Sequence, residues 1–488
     1  MMKPTNHSSR RTKIIATLGP ANDSEEAMSA LIAAGVDMVR LNFSHGTQAD
    51  HQKRFELVKR LAEKHHKIIG VLADLQGPKI RIACFKNGVI QLQAGELFTL
   101  DAALDMHTGD EKQVGIAYKA LPNDVKKNDI LKLDDGRITL KVKQVKAKKI
   151  ICTVIVGGKL SNNKGINREG GGLTAKALTK KDKDDLAFAL KMGADFIAIS
   201  FPRDANDVKE AQQLIAKHQK NPALRAGVIA KIERTEAMHH IEEIIDMSDG
   251  VMVARGDLAI EIGDAEVPAA QKEIIHLARA HNKPVITATQ MMESMIQSTI
   301  PTRAEVSDVA NAVLDYSDAV MLSEETAMGA HPPLVVKAMA RVCEMAEKQP
   351  RSRISAHRLE CHFERIDEAI AMATMYTANH LDIKAIITLT ESGRTALWMS
   401  RIRSSIPIYA LSRNLRTLGK LTLYRGVYPV YFDVTQCTNE EVNHKAIETL
   451  VKCKAAKNKD LVILTKGDRL GVGGGSNVMK ILVVGQAV

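Results

Sequence analysis

Aromatic residues are scarce in this chain, at 3% of its 488 positions. Proteins that bind single-stranded nucleic acid stack bases on aromatic rings, and few such rings exist here. The formal net charge of +11 would suit a nucleic acid, but it suits small anionic metabolites equally well. We therefore expect anionic metabolites, and no nucleic acid, as partners.

Cysteines and long apolar runs are also few. The six cysteines are scattered, and no two lie at metal-finger spacing: Cys84, Cys152, Cys343, Cys361, Cys437 and Cys453. This pattern argues against a disulfide framework or a structural zinc site. No apolar stretch follows the basic amino-terminal residues, and no run reaches the roughly 18 apolar residues of a membrane span. We expect a cytoplasmic protein without a membrane segment.

The chain does contain a repeated alternation of short apolar runs with helix-compatible segments. Eight runs are rich in β-branched residues and cover positions 13–19, 36–44, 67–75, 194–201, 227–233, 249–257, 283–290 and 317–324. This arithmetic predicts an α/β fold of the (β/α)8 TIM barrel type, in which parallel strands close on themselves inside a ring of helices.

One gap between runs, from Leu75 to Ala194, is far longer than the others. Its segments alternate apolar with polar residues, and Asp135-Gly136 stands where a tight hairpin turn is expected. We expect an inserted antiparallel β-barrel domain at 78–173, which divides a catalytic barrel into 1–77 and 174–350. Renewed alternation beyond it predicts a C-terminal αβα open-sheet domain at 351–488.

The segment AGVIAKIERTEA (226–237) is an apolar run that ends with a cation and an anion, Lys231 and Glu233. Side chains two apart in a strand share a face, and an exposed ion pair would be a sufficient explanation. The pattern recurs, however, at the ends of other runs: Arg40, Asn42 and Ser44; Asp74; Arg255 and Asp257; Thr287 and Thr289; Ser323 and Glu325. Because parallel barrel strands open on one face at their carboxyl ends, we expect these residues to line one mouth.

The residue types at this mouth indicate anionic chemistry. Carboxylates from neighbouring strands, Glu233 and Asp257, can hold a magnesium ion. Lys231 beside them would neutralise charge on a phosphoryl group or an enolate, and Arg40 can grip a phosphate. A ring of charges that neutralise one another and cap the barrel remains the alternative.

Eight motifs together resemble pyruvate kinase in order and spacing. They are LNFSHG (41–46), DLQGPKIR (74–81), NNKGIN (162–167), AKIE (230–233), MVARGDL (252–258), ITATQMMESM (286–295), PTRAEVSDVANAVLD (301–315) and LSEETAMG (322–329). The resemblance spans nearly the whole chain and is greatest to bacterial members whose third motif reads DLQGPKIR. It implies phosphoryl transfer from phosphoenolpyruvate to ADP, giving ATP and, after protonation of the enolate, pyruvate.

The resemblance also implies roles for individual residues. Glu233 and Asp257 would bind Mg²⁺, for which Mn²⁺ can substitute, and Lys231 and Arg40 would contact the phosphoryl group. Thr289 would contact the substrate carboxylate together with the backbone amides near Gly256 and Asp257, and Thr289 and Ser323 would lie near the proton route. Four positions match nucleotide contacts: Asn42, His45, Arg81 and Lys164.

Departures from the family pattern carry further expectations. Potassium-requiring members have other residues where this chain has Leu75, Gln76 and Lys79. We expect the Lys79 ammonium to replace the potassium ion among Asn42, Ser44 and Asp74, so that K⁺ is not required. Three positions also differ near the strand ends, Ala259, Glu324 and Met328, and we expect Glu324 to have a local effect only.

Other segments imply motion and regulation. The inserted domain would hinge at Pro78 and near Gly170 to Gly172, and would close over metal and nucleotide. In the last domain TESGRT would bind the phosphate of an allosteric effector, with GVGGGSN (471–477) as a covering loop and Trp398 as a packing residue; the phosphate residues are Thr390, Ser392, Gly393, Arg394 and Thr395. Helix capping would use the same residue types. The resemblance further implies a homotetramer.

Three other functions remain open at this point. A metal-dependent aldolase or lyase could run pyruvate-enolate chemistry on the same barrel, and Lys231 could form a Schiff base. Neither needs the nucleotide residues Asn42, His45, Arg81 and Lys164. A polyanion-binding scaffold driven by the charge would keep its binding in the variants Lys231→Met and Glu233→Gln.

Overall fold

The structure is a computed structural model that describes residues 10–78, 80–350, 362–469 and 475–486. Three strands and two helices come first: β1 (Lys13–Thr17), α1 (Glu25–Ala33), β2 (Met38–Asn42), α2 (Gln48–Lys64) and β3 (Gly70–Asp74). Both helices begin at a side-chain cap, where Ser24 accepts the Ala27 amide and Thr47 accepts the Asp50 amide. The strands pair in parallel, as the alternation predicts.

A separate β unit follows β3. It consists of β4 (Val89–Leu92), β5 (Leu97–Asp101), β6 (Gln113–Gly115), α3 (Leu121–Asp124), β7 (Ile130–Leu133), β8 (Ile138–Lys146), β9 (Lys149–Val156), β10 (Gly158–Ser161) and β11 (Ile166–Arg168). The strands form a pair, β10-β4, and a six-stranded sheet in the order β11-β7-β8-β9-β5-β6. Pairing is antiparallel except between β5 and β6, which depart from the expected pattern. The expected hairpin turn joins β7 to β8, with positive φ at Asp134 and Asp135.

The chain then completes the barrel. The elements are α4 (Lys180–Met192), β12 (Phe196–Ile199), α5 (Ala205–His218), β13 (Gly227–Ile232), α6 (Thr235–His239), α7 (Ile241–Met247), β14 (Gly250–Ala254), α8 (Arg255–Ile262), α9 (Val267–Ala280), β15 (Val285–Ala288), α10 (Arg303–Leu314), β16 (Ala319–Leu322), α11 (Glu324–Ala327) and α12 (Pro332–Glu347). Eight parallel strands close in the order β1-β16-β15-β14-β13-β12-β3-β2. Each of the eight apolar runs contains one of these strands, so the predicted (β/α)8 barrel is confirmed.

The middle residues of the barrel strands are mostly apolar because both faces of the strands are covered. In β1, Ile14 packs outward among the helices, while Ile15 packs inward against Leu72 and Met321. Parallel sheets need this double burial, since their crossover helices cover the outer face. The continuous apolar runs of the sequence follow from it.

The C-terminal part contains α13 (Ile366–His380), β17 (Ile383–Leu389), α14 (Arg394–Ser400), β18 (Ile408–Ser412), α15 (Leu415–Leu421), β19 (Val427–Tyr431), α16 (Glu441–Lys452), β20 (Leu461–Gly467) and β21 (Ser476–Val483). Its sheet has the order β19-β18-β17-β20-β21, and only β21 is antiparallel to its neighbour. Ile386 and Ile408 join the apolar cluster that fills the barrel interior, so this sheet closes the amino-terminal end of the barrel. Across the parts of the chain described above, no helix combines the length and apolarity that a bilayer crossing requires.

Candidate active site

Lys231 lies at the centre of a buried polar cluster at the carboxyl ends of the barrel strands. Its Nζ is 2.8 Å from Glu233 Oε1 and 3.4 Å from Asp74 Oδ1. It also donates a hydrogen bond of 2.8 Å to Ser200 Oγ. Strands β3, β12 and β13 are neighbours in the barrel, which brings residues more than 150 positions apart to one point.

Arg40 extends the cluster from β2. Its Nε is 2.7 Å from Asp74 Oδ2, and its Nη1 donates a hydrogen bond of 3.1 Å to Thr17 Oγ1. Asp74 thus lies between the two cations, Arg40 and Lys231. Because carboxylate contacts fix only part of the guanidinium, Arg40 keeps donors for an anion that enters the mouth.

Burial favours the neutral form of two carboxylates at the mouth, Glu233 and Asp257. Burial raises the pKa of Glu233 to about 7, although Lys231 opposes the rise. Burial likewise raises the pKa of Asp257, again against the effect of Lys231. Burial alone would lower the pKa of Lys231, but Asp74 and Glu233 outweigh it and raise that pKa. The charged form of Lys231 is therefore favoured, while burial favours the neutral forms of Glu233 and Asp257.

The donor set fits a magnesium ion. Asp257 raises the pKa of Glu233 through its charge, which places the two carboxylates within electrostatic reach of each other. Asp74 Oδ1 is buried and accepts no hydrogen bond. Within the described ranges, no group of three or more His, Cys, Asp or Glu residues could form an all-protein metal cage. Mg²⁺ commonly takes one or two carboxylates and completes its shell with water and substrate oxygens.

Several residues expected at strand ends lie beyond their strands. β14 ends at Ala254, β15 at Ala288 and β16 at Leu322, so Asp257 and Ser323 sit in the segments that follow. Strand alternation therefore does not set their directions, contrary to the reasoning from sequence. In particular, Glu324 is exposed because it begins α11, while the next residue, Glu325, is buried.

Thr289 and Gly256 are held together next to Asp257. The Gly256 amide donates a hydrogen bond of 2.9 Å to Thr289 Oγ1. Thr289 has a φ of 67°, a conformation that costs a threonine about 1 kcal/mol or more and persists only where neighbours enforce it. The Arg255 guanidinium supplies that constraint by donating to the carbonyls of Ala288 and Thr289. Arg255 was expected to line the mouth, but it is buried and also pairs with Asp308 at 2.7 Å.

Ser323 is positioned by Glu325. The Ser323 amide donates a hydrogen bond of 2.6 Å to Glu325 Oε2, and the Met292 amide donates one of 3.3 Å to Oε1. Burial raises the pKa of this carboxyl group. The segments after β15 and β16 are thus tied to each other through one side chain.

The four expected nucleotide residues come from two parts of the chain, the carboxyl end of β2 with the loop after it, and the insertion. Asn42 lies opposite Asp74 in the pairing of β2 with β3, and its Oδ1 accepts the Ser44 amide at 3.1 Å. His45 is exposed on the following loop. Lys164 pairs with Asp134 at 2.6 Å within the insertion. Arg81 forms an isolated β-bridge with Gly165 there, and its charge opposes the rise in the pKa of Asp257.

Of the residues expected around a monovalent cation, the backbone of Leu75 is already engaged. Its carbonyl accepts a hydrogen bond of 2.7 Å from Ser200 Oγ, and its amide donates to Ala198. Ser44 is half-buried beside Asn42. Lys79 lies outside the described residues.

The TESGRT segment lines a small cavity in the C-terminal part. Thr390 Oγ1 accepts the Gly393 amide at 2.9 Å, and Thr395 Oγ1 is 2.8 Å from Ser476 Oγ. Ser392 and Arg394 line the same cavity together with Lys466 and Arg469. Residues 471–474 of the expected covering loop lie outside the described residues. Trp398 is half-buried, with the Arg365 guanidinium 5.6 Å above its ring.

Two residues of the central cluster were missed in the sequence. Ser200 directly follows β12 and Thr17 ends β1, and both contact a cation of the cluster. The rule that found Lys231, polar residues at run ends, would have found them as well. Their small uncharged side chains gave no reason to apply it.

Comparisons with known proteins agree with the motifs. The family described as "Pyruvate kinase, barrel domain" matches residues 9–336, and "Pyruvate kinase, alpha/beta domain" matches residues 368–482. The chain is 53% identical to a pyruvate kinase of Buchnera aphidicola subsp. Schizaphis graminum, over 97% of this chain and 98% of the relative. It is 52% identical to pyruvate kinase II of Salmonella typhimurium, over 97% and 99% of the two chains.

A solved structure gives the same result for the fold. A crystal structure of a pyruvate kinase from Cryptosporidium parvum superposes with a TM-score of 0.91 at 35% identity, covering 97% of this chain and 96% of the other. The matches extend over both the barrel and the C-terminal part. The chain therefore belongs to the pyruvate kinase family.

Proposed function

We propose that this chain transfers the phosphoryl group of phosphoenolpyruvate to ADP and then delivers a proton to the enolate, giving ATP and pyruvate. The observation that carries the proposal is Lys231 Nζ, held between Asp74 and Glu233 beside the Arg40 guanidinium. Two fixed cations at one mouth suit an anion that carries both phosphate and carboxylate. The family matches favour this reaction over the aldolase alternative.

In this mechanism Glu233 and Asp257 hold Mg²⁺, or Mn²⁺ in its place. A bound divalent ion would supply positive charge next to the transferring group and the enolate oxygen. Arg40 binds the phosphate, and Lys231 stabilises the phosphoryl group and then the enolate. Because Lys231 has its pKa raised by two carboxylates, it stays charged throughout and does not act as a base.

The substrate carboxylate is oriented by Thr289 and the amides near Gly256 and Asp257. The positive φ of Thr289 supports this role, since strain of this kind concentrates at binding sites. Thr289 and Ser323 lie along the proposed path of the proton to the enolate carbon. The Glu325 carboxylate supports that path by fixing the Ser323 amide.

ADP binds between the barrel and the insertion, at Asn42, His45, Arg81 and Lys164. The action of Arg81 and Asp135 on Asp257 supports closure of the insertion over the mouth. Closure would exclude water, which strengthens the electrostatic contacts and protects the phosphoryl donor from hydrolysis.

Catalysis in this proposal needs no potassium, because the Lys79 ammonium takes the place of the ion near Asn42, Ser44 and Asp74. Asp74 already faces two cations, with Lys231 Nζ 3.4 Å from Oδ1 and Arg40 Nε 2.7 Å from Oδ2, so the proposal for Lys79 rests on the sequence difference alone. We expect equal activity in potassium, sodium and tetramethylammonium buffers, and Lys79→Glu should create a potassium requirement. Activity that collapses without potassium in the unmodified chain would refute the replacement.

Regulation is proposed at the C-terminal cavity. A phosphorylated effector binds Thr390, Ser392, Gly393, Arg394 and Thr395, and the cations Lys466 and Arg469 on the same cavity support an anionic ligand. The enzyme works as a homotetramer in the cytoplasm. Sedimentation velocity with and without phosphorylated sugars or nucleotides tests both the assembly and the effector.

The reaction itself is tested by ATP formation from phosphoenolpyruvate and ADP, with Mg²⁺ and with EDTA. We expect ATP and pyruvate in equal amounts with Mg²⁺ and none with EDTA. Pyruvate release from a 4-hydroxy-2-oxo acid, with no ATP from phosphoenolpyruvate, would instead identify the aldolase.

A further inference from the structure

The insertion returns to the barrel through residues 168–173, here called the return segment, and three barrel residues hold it there. The Gly170 amide donates a hydrogen bond of 3.1 Å to the Glu261 carbonyl. The Gly172 amide donates to a carboxylate oxygen of Glu236. Arg234 Nη2 donates to the Leu173 carbonyl at 3.0 Å. Gly170, Gly172 and Leu173 of the return segment are therefore hydrogen-bonded to the barrel.

The three barrel residues lie in or next to α6 and α8, close in sequence to Glu233 and Asp257. Arg234 and Glu236 come directly after Glu233, at the start of α6. Glu261 lies on α8, the helix that carries Asp257. The Thr235 amide donates a hydrogen bond of 2.9 Å to the Glu261 carboxylate, which ties the two helices to each other. Contact with the return segment is thus made by the same elements that position Glu233 and Asp257.

The backbone of the return segment is shaped to fit Glu236. Gly170, Gly171 and Gly172 have φ values of 76°, 76° and 92°, which other residues rarely adopt. A Cβ atom on Gly171 would lie 2.8 Å from Glu236 Oε1, whereas one on Gly170 would meet no atom within 4 Å. Arg168 fixes the turn from inside the insertion by donating to the Gly171 carbonyl at 2.7 Å. The glycine at 171 therefore serves the approach of the carboxylate as well as the turn.

We propose that Glu236 is a positioning residue that clamps the return segment, and so holds the insertion closed over the nucleotide. The inference rests on the proposed function for the nucleotide residues Arg81 and Lys164, which travel on the insertion. Loss of the clamp frees the insertion to open, so ADP meets these residues in fewer molecules and its apparent affinity falls in proportion. The chemical groups at Lys231 stay in place.

Amide hydrogen exchange of the ligand-free enzyme tests the clamp without reference to any activity. We expect Glu236→Ala to speed exchange in residues 168–173 by about tenfold or more, because a hydrogen bond to a charged group is lost. Glu236→Gln keeps an acceptor and should give a smaller increase. Glu243→Gln, on the exposed side of α7, is the control and should leave exchange unchanged. Unchanged exchange in Glu236→Ala would overturn the clamp.

A pair of glycine variants tests the kinetic consequence and remains informative if the Glu236 variants fold poorly. Gly170→Ala and Gly171→Ala impose similar backbone strain, since both residues have a φ of 76°. Only Gly171→Ala pushes a methyl group against Glu236. We expect Gly171→Ala to raise KM for ADP about tenfold above Gly170→Ala, with a much smaller change in kcat. Equal KM values in the two variants would overturn the proposal.

Failure of the proposed function gives a different result. If the unmodified enzyme formed no ATP from phosphoenolpyruvate and ADP, the assignment of the reaction would fall. The exchange rates of residues 168–173 would still decide whether Glu236 holds the insertion. If ATP formed normally and both clamp tests were negative, the clamp alone would be wrong.

Discussion

The two ends of the barrel both bury a cluster of ion pairs, yet the clusters are built differently. At the amino-terminal end, Arg401 of the C-terminal part pairs with Asp318 just before β16, and both side chains are almost fully buried. Each oxygen of Asp318 accepts two hydrogen bonds: one from Arg401 and one from a backbone amide, that of Val285 or Arg425. This carboxylate has no capacity left for a ligand.

At the mouth one carboxylate oxygen is less well satisfied, although both oxygens of Glu233 have partners, the Lys231 ammonium and the Phe201 amide. Asp74 Oδ1 accepts no hydrogen bond, and burial leaves Glu233 with a pKa of about 7. The difference teaches that buried charge alone does not mark a catalytic site. A saturated cluster joins two parts of the fold, whereas a cluster with hydrogen-bonding capacity left over is suited to incoming cations and substrate.

Removing the cation at the mouth should have the largest effect. We expect Lys231→Met to lower the rate of ATP formation by about 10³-fold or more, because the transferring group loses its charge stabilisation. The free energy of unfolding should fall much less, since Glu233, with its pKa of about 7, can take up a proton instead. Coupled assays and urea unfolding measure the two quantities, with Lys445→Met, at the surface pair with Glu441, as control. If Lys231→Met kept its turnover, the charge of Lys231 would not be needed for the transfer, and the distinction between the two clusters would be wrong.

Removing the anion at the other end should affect stability instead. Asp318→Asn leaves the buried Arg401 without its carboxylate, and a guanidinium cannot release its proton to compensate. We expect the free energy of unfolding to fall by about 3 kcal/mol or more, with turnover of the folded fraction nearly unchanged. Urea unfolding measures this loss, and Asp382→Asn, at an exposed pair with Lys384, should show none. Lost turnover with normal stability would contradict the distinction.

The clusters should also differ in the sign of their pH dependence. Burial raises the pKa of Glu233 from 4.5 to about 7, so between these values the folded state holds a proton that the unfolded state releases. Its contribution to stability therefore declines as pH rises through this window. At the amino-terminal end Glu347 pairs with Arg11 at 3.5 Å and with Arg425, whose amide contacts Asp318, at 3.8 Å. Burial alone would raise the pKa of Glu347 as well, but Arg425 and Arg11 lower it overall. Glu347 therefore stabilises the fold above pH 4.5, and this contribution is lost as pH falls below it.

Magnesium should distinguish Glu233 from Glu347, because only Glu233 is proposed to bind the ion. In the proposed mechanism the ion binds the charged form of Glu233, so we expect Mg²⁺ to raise Tm more at about pH 8 than at about pH 6. Differential scanning calorimetry measures the shift. Glu233→Gln should remove the effect of Mg²⁺ at both values, while Asp318→Asn should keep it. A shift that is independent of pH would show that Glu233 does not bind the ion.

The smallest effect is expected beside the mouth. Glu324 is exposed at the start of α11. We expect Glu324→Ala to leave the pH dependence of kcat unchanged, because an exposed carboxylate is screened by water. A shifted pH profile of kcat would show that Glu324 acts on the groups of the mouth, so that the mouth cluster would include this residue.

Much of the mouth could be predicted from sequence because its residues follow apolar runs. Lys231 and Glu233 stand at the end of one run and Asp74 at the end of another, and parallel strands bring such ends together by topology. The motifs around these residues then pointed to one family. Ser200 and Thr17 obey the same rule, but a hydroxyl at the end of a run is too common to attract notice.

The cluster at the other end could not be predicted in this way. Arg401 and Asp318 are 83 positions apart, and neither lies in a motif that indicates a contact. Their pairing depends on how the C-terminal sheet packs against the barrel, which no local pattern specifies. The same holds for Glu236 and Gly172, whose contact depends on the path by which the insertion returns.

By itself the sequence determined the eight barrel strands, their order along the chain and several of the polar residues at their carboxyl ends, because double burial and alternation leave a direct trace in local composition. The tertiary structure alone decided which buried charges are saturated, how the insertion is fastened and which side chain holds Ser323. These properties depend on hydrogen bonds between segments far apart in the chain, and such bonds leave no periodic signal.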